Sequence, residues 1–97
     1  MHSLRFRPEV EHDLRSGRDW YDSKIPGLGD EFIDEFWAAI ERIVDRPLSF
    51  AASPSGLRPC RLRRFSYLIH FRVQGDEILI VAVMSAARDD SAFDNRR

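Results

Sequence analysis

Five arginines lie close together in the second half of the chain, with no acidic residue among them: Arg58, Arg61, Arg63, Arg64 and Arg72. Arg88 follows the last apolar segment and could reach the same side of the fold. A guanidinium group presents a rigid fork of donors that suits carboxylates and phosphates, and it stays charged when partly desolvated. The cluster therefore indicates a binding surface for nucleic acid or for an acidic protein. The alternative interpretation is a solvated sheet face that acidic helices partly neutralise.

Other groups with chemical potential are scattered. The three histidines, His2, His12 and His70, do not have metal-ligand spacing, so we expect no metal site. His70 falls within the arginine-rich segment, which makes it the candidate general acid or base if the surface is catalytic. Arginines near Cys60 could lower its pKa, but without a neighbouring base we expect it to be a small apolar strand residue.

The net charge describes neither half of the molecule. The 97 residues carry 15 Lys and Arg against 16 Asp and Glu, for a formal net charge of -1, and Lys24 is the only lysine. Residues 9–46 hold 11 acids and 5 bases, whereas residues 57–73 hold five arginines and no acid. The totals exclude a generally basic nucleic-acid binder, but the segregation predicts two oppositely charged surfaces.

The first half of the chain predicts a strand and two helices that would carry the acidic surface. Residues 3–7 alternate as a short strand does, and Pro8 suits the first turn of a helix. Apolar residues and Gly17 then recur at helical spacing, and residues 25–29 form a turn. Asp30 is the candidate N-cap of a second helix that Pro47 ends. The apolar helix positions expected in the core are Val10, Leu14, Gly17, Trp20, Tyr21, Phe32, Ile33, Phe36, Trp37, Ala39, Ile40, Ile43 and Val44.

The second half predicts three strands that would carry the arginines. Residues 57–62 contain Pro59, which marks an edge strand, and a turn follows at residues 63–66. Residues 67–73 alternate cleanly, residues 74–76 make a hairpin turn, and residues 77–85 are apolar enough for an inner strand. The order β-α-α-β-β-β predicts an α+β domain over residues 1–97, with a mainly antiparallel four-stranded sheet and a helical hairpin packed on one face.

The sequence also favours a cytoplasmic protein without a small-molecule cofactor. Its longest apolar runs are far short of the ~20 residues that a membrane helix needs, and we expect no signal peptide at its N-terminus. The single cysteine cannot form an internal disulfide, which fits a reducing compartment. There is no phosphate-binding loop and no nucleophile elbow.

Taken together, the segments resemble the RelE/ParE superfamily of type II toxin–antitoxin toxins, which are often called plasmid-stabilisation proteins. The similarity is carried by residues 6–14 with Trp20 and Tyr21, and by residues 25–32, 39–47, 61–73 and 83–89. It implies the same α+β fold and a growth-inhibiting toxin. It also implies a cognate antitoxin that wraps the toxin, its acidic side chains suited to the arginines and its apolar side chains to the surface between the helices.

The superfamily implies two mechanisms, and the sequence is nearer the ParE branch. RelE-like members are ribosome-dependent mRNA endonucleases that use basic residues and a tyrosine; here Leu68 and Phe93 stand at two of those positions. ParE-like members bind DNA gyrase, although Ser85 and Asp90 depart from their usual motif. We therefore expect target or antitoxin binding by Arg58, Arg61, Arg63, Arg64, Arg72 and Arg88. The alternatives are an endonuclease using Arg61, Arg64, Arg88 and His70, and a degenerate relative that only binds antitoxin.

Overall fold

A computed structural model describes residues 2–87 of the chain. Within that part it contains two α-helices, one short 3₁₀ helix and four strands. In chain order these are β1 Ser3–Phe6, α1 Glu9–Lys24, α2 Leu28–Asp45, the 3₁₀ helix Pro47–Ser49, β2 Arg58–Arg61, β3 Tyr67–Gln74 and β4 Glu77–Ser85. The predicted β-α-α-β-β-β order and the α+β class are confirmed. The helical turn expected near Phe93 lies outside the described residues.

The four strands form one mixed sheet in the order β1-β4-β3-β2. β1 pairs in parallel with β4, and β3 pairs antiparallel with both β4 and β2. β4 is therefore an inner strand, as its continuous apolar sequence predicted, and β1 and β2 are the two edges. A register shift between His70 and Phe71 interrupts the β3–β4 ladder, so that β4 contributes one extra residue there.

The helical hairpin packs on one face of this sheet. The predicted α2 stripe of Phe32, Phe36, Ala39 and Ile43 is completely buried, because residues spaced by three and four lie on one side of a helix. The sheet side of this core consists mainly of alternating residues of β3 and β4: Ile69, Phe71, Ile78, Ile80 and Val83. A second, smaller cluster lies apart from it: Leu57, Val81, Ala82 and Met84.

Two tryptophans do not occupy the predicted core positions. The side chains of Trp20 and Trp37 are 53% and 49% exposed, so their assignment to the core was wrong. Trp20 comes one residue before Tyr21, and Trp37 comes one residue after Phe36. Tyr21 and Phe36 take the inward positions. Because one residue corresponds to a rotation of about 100° around a helix, the tryptophans point away from the core. Their exposure leaves aromatic surface available on both helices. The assignment of Val44 to the core was also wrong: it is 39% exposed, one residue after the fully buried Ile43.

The two helices approach each other closely at glycines. A Cβ added to Gly17 would lie 2.7 Å from the Phe32 ring, and one added to Gly29 would lie 2.5 Å from the backbone oxygen of Arg18. Asp22 of α1 accepts a hydrogen bond from the Gly29 N–H (2.7 Å), which satisfies a donor in the first turn of α2. The N-cap is Gly27 in the left-handed region, not Asp30. Asp30 lies inside the first turn because the αL glycine starts the helix earlier.

The β2 edge of the sheet is protected against further strand pairing. The Leu62 N–H donates to Tyr67, so the alternation of an antiparallel ladder points the backbone groups of Pro59 and Arg61 outward. Proline has no N–H, and the Arg42 guanidinium donates to the Arg61 carbonyl (3.1 Å). Together these features remove much of the hydrogen-bonding capacity of this edge.

The β1 edge is open by comparison. The N–H groups of Ser3 and Arg7 donate to β4 and to the turn before it. In a parallel ladder the alternate residues, Leu4 and Phe6, then point their N–H and C=O groups away from β4. The part of the chain that the structure describes places no second strand beside them.

Candidate functional site

The arginines of the second half do not form one continuous face, because strand alternation divides them. Cys60 and Ile69 pair with each other and face the helices. Arg61, one residue further along β2, therefore lies on the opposite face, which we call the outer face. Arg72 lies on the same face, where it pairs with Leu79. Among the described residues neither side chain has an acidic partner within salt-bridge distance.

The same alternation adds a residue that the sequence analysis missed. Arg5 of β1 pairs with Leu79 from the other side, so Arg5, Leu79 and Arg72 form a row across the outer face. The Arg5 side chain is 70% exposed and reaches Glu77 (3.3 Å) through one nitrogen. Its place in the basic group depends on the parallel β1–β4 pairing, which the local sequence around Arg5 does not reveal.

Arg64 is held on the helix side of the molecule. Its guanidinium contacts Glu31 (3.1 Å) and Glu35 (3.2 Å), one turn apart on α2. The hydrogen bond to Glu31 is the main cause that raises the pKa of Arg64, and Glu35 acts in the same direction. Its backbone φ of 69° is unusual for a residue other than glycine. Arg64 therefore agrees with the alternative interpretation of the sequence, in which acidic helices neutralise the arginines.

The other three arginines that the sequence predicted for this surface, Arg58, Arg63 and Arg88, do not join Arg61 and Arg72. Arg58 pairs with Phe71 on the helix side and donates a hydrogen bond to the Phe50 carbonyl. Arg63, in the turn after β2, is exposed and lines a shallow cavity with Glu41 and Asp45 of α2. Arg88 lies outside the described residues.

His70 and Cys60 are both in the interior. His70 is 3% exposed and stands between Pro59 and Ala82 on the neighbouring strands. Cys60 is 1% exposed, and burial raises the pKa of its thiol, with Arg42 opposing the shift. The expectation of an apolar strand cysteine is confirmed. Within residues 2–87 no group of three potential metal ligands comes together.

Asp13 is a buried carboxylate that the sequence analysis did not select. It is 7% exposed on α1 and accepts a hydrogen bond from the Val83 N–H of β4 (3.0 Å). β1 pairs with β4 only as far as Ile80. Beyond that residue α1 lies beside β4, and the Asp13 carboxylate accepts the hydrogen bond of the Val83 N–H that no strand accepts. The available signal was a charged residue between Val10 and Gly17, on the inward side of the helix.

A cleft opens beside Asp13, at the end of β4. It has a volume of about 290 Å³ and is lined in part by His12, Ser16, Tyr67 and Ser85. Burial raises the pKa of the neighbouring Tyr21, with Tyr67 acting in the same direction. The lining offers hydroxyl groups and one imidazole for hydrogen bonding.

An apolar groove runs between the first half of α1 and the middle of α2, next to β1. It has a volume of about 270 Å³, and its lining includes Val10, Leu14 and Phe36. At its rim the rings of Phe6 and Trp37 make an edge-to-face contact with centroids 6.1 Å apart. Both rings remain substantially exposed, at 39% and 49%. Neither helix in the described part of the chain is long and apolar enough to span a bilayer.

Comparison with known proteins gives consistent results. Residues 4–90 match the family model described as the ParE toxin of the type II toxin–antitoxin system, parDE. A solved structure titled as the chromosomal ParDE TA system from P. aeruginosa is similar, with a TM-score of 0.76 and 26% sequence identity. The similarity covers 88% of this chain and 96% of that one. No curated protein sequence matches the chain.

Proposed function

Because the chain belongs to the ParE toxin family of type II toxin–antitoxin systems, we propose that it arrests growth by binding DNA gyrase and that a cognate antitoxin neutralises it. The match over residues 4–90 carries this proposal, since it spans every described helix and strand except Ser3 at the start of β1. The proposed contact surface is the outer face with Arg61 and Arg72. These two guanidinium groups have no acidic partner among the described residues, so they remain able to engage carboxylates of a protein.

The geometry of the described residues supports a binding protein over an endonuclease. An endonuclease would need an acid, a base and charge-stabilising groups around one phosphate. His70 is buried, and Arg64 is engaged with Glu31 and Glu35 on the helix side. Arg61 lies on the other face. These three residues of the endonuclease alternative therefore do not converge on one cleft.

The test is a gyrase supercoiling assay with purified protein and relaxed plasmid. We expect inhibition at micromolar protein, and a loss of at least about tenfold in potency for the double variant Arg61→Glu, Arg72→Glu, because two attractive contacts become repulsive. Arg46→Glu is the matched control, because Arg46 is an exposed arginine at the end of α2, away from the outer face.

Induced expression separates the alternatives. Growth arrest with normal gyrase activity, together with new cleavage sites in translated mRNA mapped by primer extension, would replace the gyrase proposal with the endonuclease. Unaltered growth would replace both with a degenerate antitoxin-binding relative. Growth arrest that is relieved by co-expressing a candidate antitoxin, sought among small proteins encoded beside this gene, would support the toxin–antitoxin assignment.

A further inference from the structure

The outer face of the sheet is buried along its two central strands, although no helix or strand of the described residues packs on it. Val81 and Ala82 of β4 are completely buried, Met84 is 9% exposed, and His70 of β3 is 3% exposed. Both helices lie on the opposite face, where they form the main core. A sheet face that only water covers would leave such central side chains partly exposed. We call these four residues the outer strip.

The burial is confined to β3 and β4. Pro59 and Arg61 of β2 are exposed on the same face, and the Arg5 side chain of β1 is 70% exposed. Leu57 and Leu79 pack with the outer strip, but Leu79 belongs to β4 itself and Leu57 directly precedes β2. They contact the strip from within the sheet layer. A further part of the chain must therefore lie over the two central strands and leave the two edges free.

The C-terminal segment, residues 88–97, begins at the right place and is long enough. It follows β4, which ends at Ser85, after two intervening residues. The only large apolar side chain in these last ten residues is Phe93. Six extended residues from Ala87 to Phe93 span up to about 20 Å. Val81 lies four residues back from Ser85 along the strand, a distance of about 13 Å.

We propose that the C-terminal segment folds back over the outer face and places the Phe93 ring on Val81 and Met84 of the outer strip. A second copy of the chain is not needed to cover the strip, because these residues are buried in a single copy. The inference does not depend on the proposed function, since it concerns the chain's own C-terminus. A protein that binds the outer face would then contact this segment together with the arginines on either side of it, Arg5 and Arg61.

The first experiment measures how accessible the outer strip is with and without the segment. Met84→Cys is made together with Cys60→Ala, so that a single thiol reacts with iodoacetamide and mass spectrometry follows the reaction. In the full chain, Met84→Cys should react at least about tenfold more slowly than the control Trp37→Cys, because a covered thiol reacts only after local opening. In a chain that ends at residue 87, it should react at about the rate of the control. Trp37 is 49% exposed on the helix side, so the control should react equally in both chains.

Two substitutions test the role of the Phe93 ring in the full chain. Phe93→Asn should accelerate the reaction of Met84→Cys at least about threefold, because a polar side chain gains little from covering apolar surface. Phe93→Leu should preserve most of the protection. Circular dichroism of each variant provides the folding control. These two variants decide the question if the shortened chain does not fold.

Nuclear magnetic resonance tests the wild-type protein directly. The chain has two methionines, Met1 and Met84, so methyl-labelled methionine gives two methyl signals. Apolar side chains in contact approach within about 4.5 Å, and we therefore expect a nuclear Overhauser effect between the Met84 methyl and an aromatic ring that disappears in Phe93→Leu. Its absence, or equal protection of Met84→Cys in the full and shortened chains, would overturn the inference. Protection that disappears on dilution would overturn it in favour of a second copy.

Discussion

The close approach of α1 and α2 predicts that Gly29→Ala destabilises the protein, although alanine is the better helix former. The added Cβ would lie 2.5 Å from the Arg18 carbonyl oxygen and 2.7 Å from Asp22 Oδ1, whereas ordinary contact begins at 3.4 Å. The helices must therefore separate by roughly 0.7–0.9 Å at this point, or the Asp22 hydrogen bond to the Gly29 N–H must break. A helical backbone oxygen has little freedom to move.

The magnitude follows from two opposing contributions. Overpacking of this kind costs about 1–3 kcal/mol, and replacing glycine by alanine in a helix returns at most about 1 kcal/mol. The overpacking cost of Gly29→Ala should lie near the upper end of this range, because the added Cβ meets a backbone oxygen. The gain in helix propensity should be small, because Gly29 lies in the first turn of α2. The expected net loss is about 2 kcal/mol, which corresponds to a Tm lower by roughly 8–16 °C for a domain of this size.

Thermal and urea unfolding followed by circular dichroism measure this loss. Gly17→Ala should cost less, because its Cβ meets the Phe32 ring at 2.7 Å rather than a backbone atom and its mid-helix position gains fully from alanine. Ala38→Gly, at an exposed α2 position, calibrates the propensity difference at about 1 kcal/mol. A Gly29→Ala variant as stable as wild type would refute the close contact between the helices.

Three further predictions concern the sheet. Burial raises the pKa of the Cys60 thiol above its usual value of 9.0. The stability linked to the protonated thiol should therefore be present below pH 9.0 and be lost as the pH rises from there through the raised pKa. Urea unfolding at several alkaline pH values should show a shallower loss of stability in Cys60→Ala. Asp13→Ala should lower the free energy of unfolding by about 1–3 kcal/mol by leaving the buried Val83 N–H without its acceptor, and Asp13→Asn should lose less, which urea unfolding also measures. Pro59→Ala should restore an outward N–H on β2 and increase self-association on gel filtration, with equal elution of both proteins contradicting the protected edge.

The element order and most of the core could be predicted because they depend on local periodicity. The alternation in β3 and the spacing of Phe32, Phe36, Ala39 and Ile43 each appear within one short segment. The start of α2 was misplaced because Asp22, seven residues before Gly29, supplies the cap oxygen from another helix. The two exposed tryptophans were misassigned because hydrophobicity alone does not separate adjacent positions of a broad apolar stripe.

The candidate site was predictable only in part, because strand pairing and turns decide where an arginine points. The sequence places Arg58, Arg61 and Arg64 within a few residues of one another. Alternation sends Arg58 and Arg61 to opposite faces, and the left-handed turn carries Arg64 to α2. Arg5 joins the outer face through its strand partner Leu79, 74 residues away in the sequence. Such long-range pairing has no local signature.

That pairing also sets when the sheet can be completed during synthesis. Arg5 of β1 and Asp13 are made first, but the β4 residues that they contact, Glu77 and Val83, follow 72 and 70 residues later. At ribosomal rates of about 5–20 residues per second, roughly 4–14 s pass between synthesis of the two halves of these contacts. An inner strand, β4, is thus the last of the described strands to be made, and contacts of such high sequence separation also slow folding. A nascent chain that ends before β4 cannot assemble the outer face, because the row of Arg5, Leu79 and Arg72 forms only once this strand has been made.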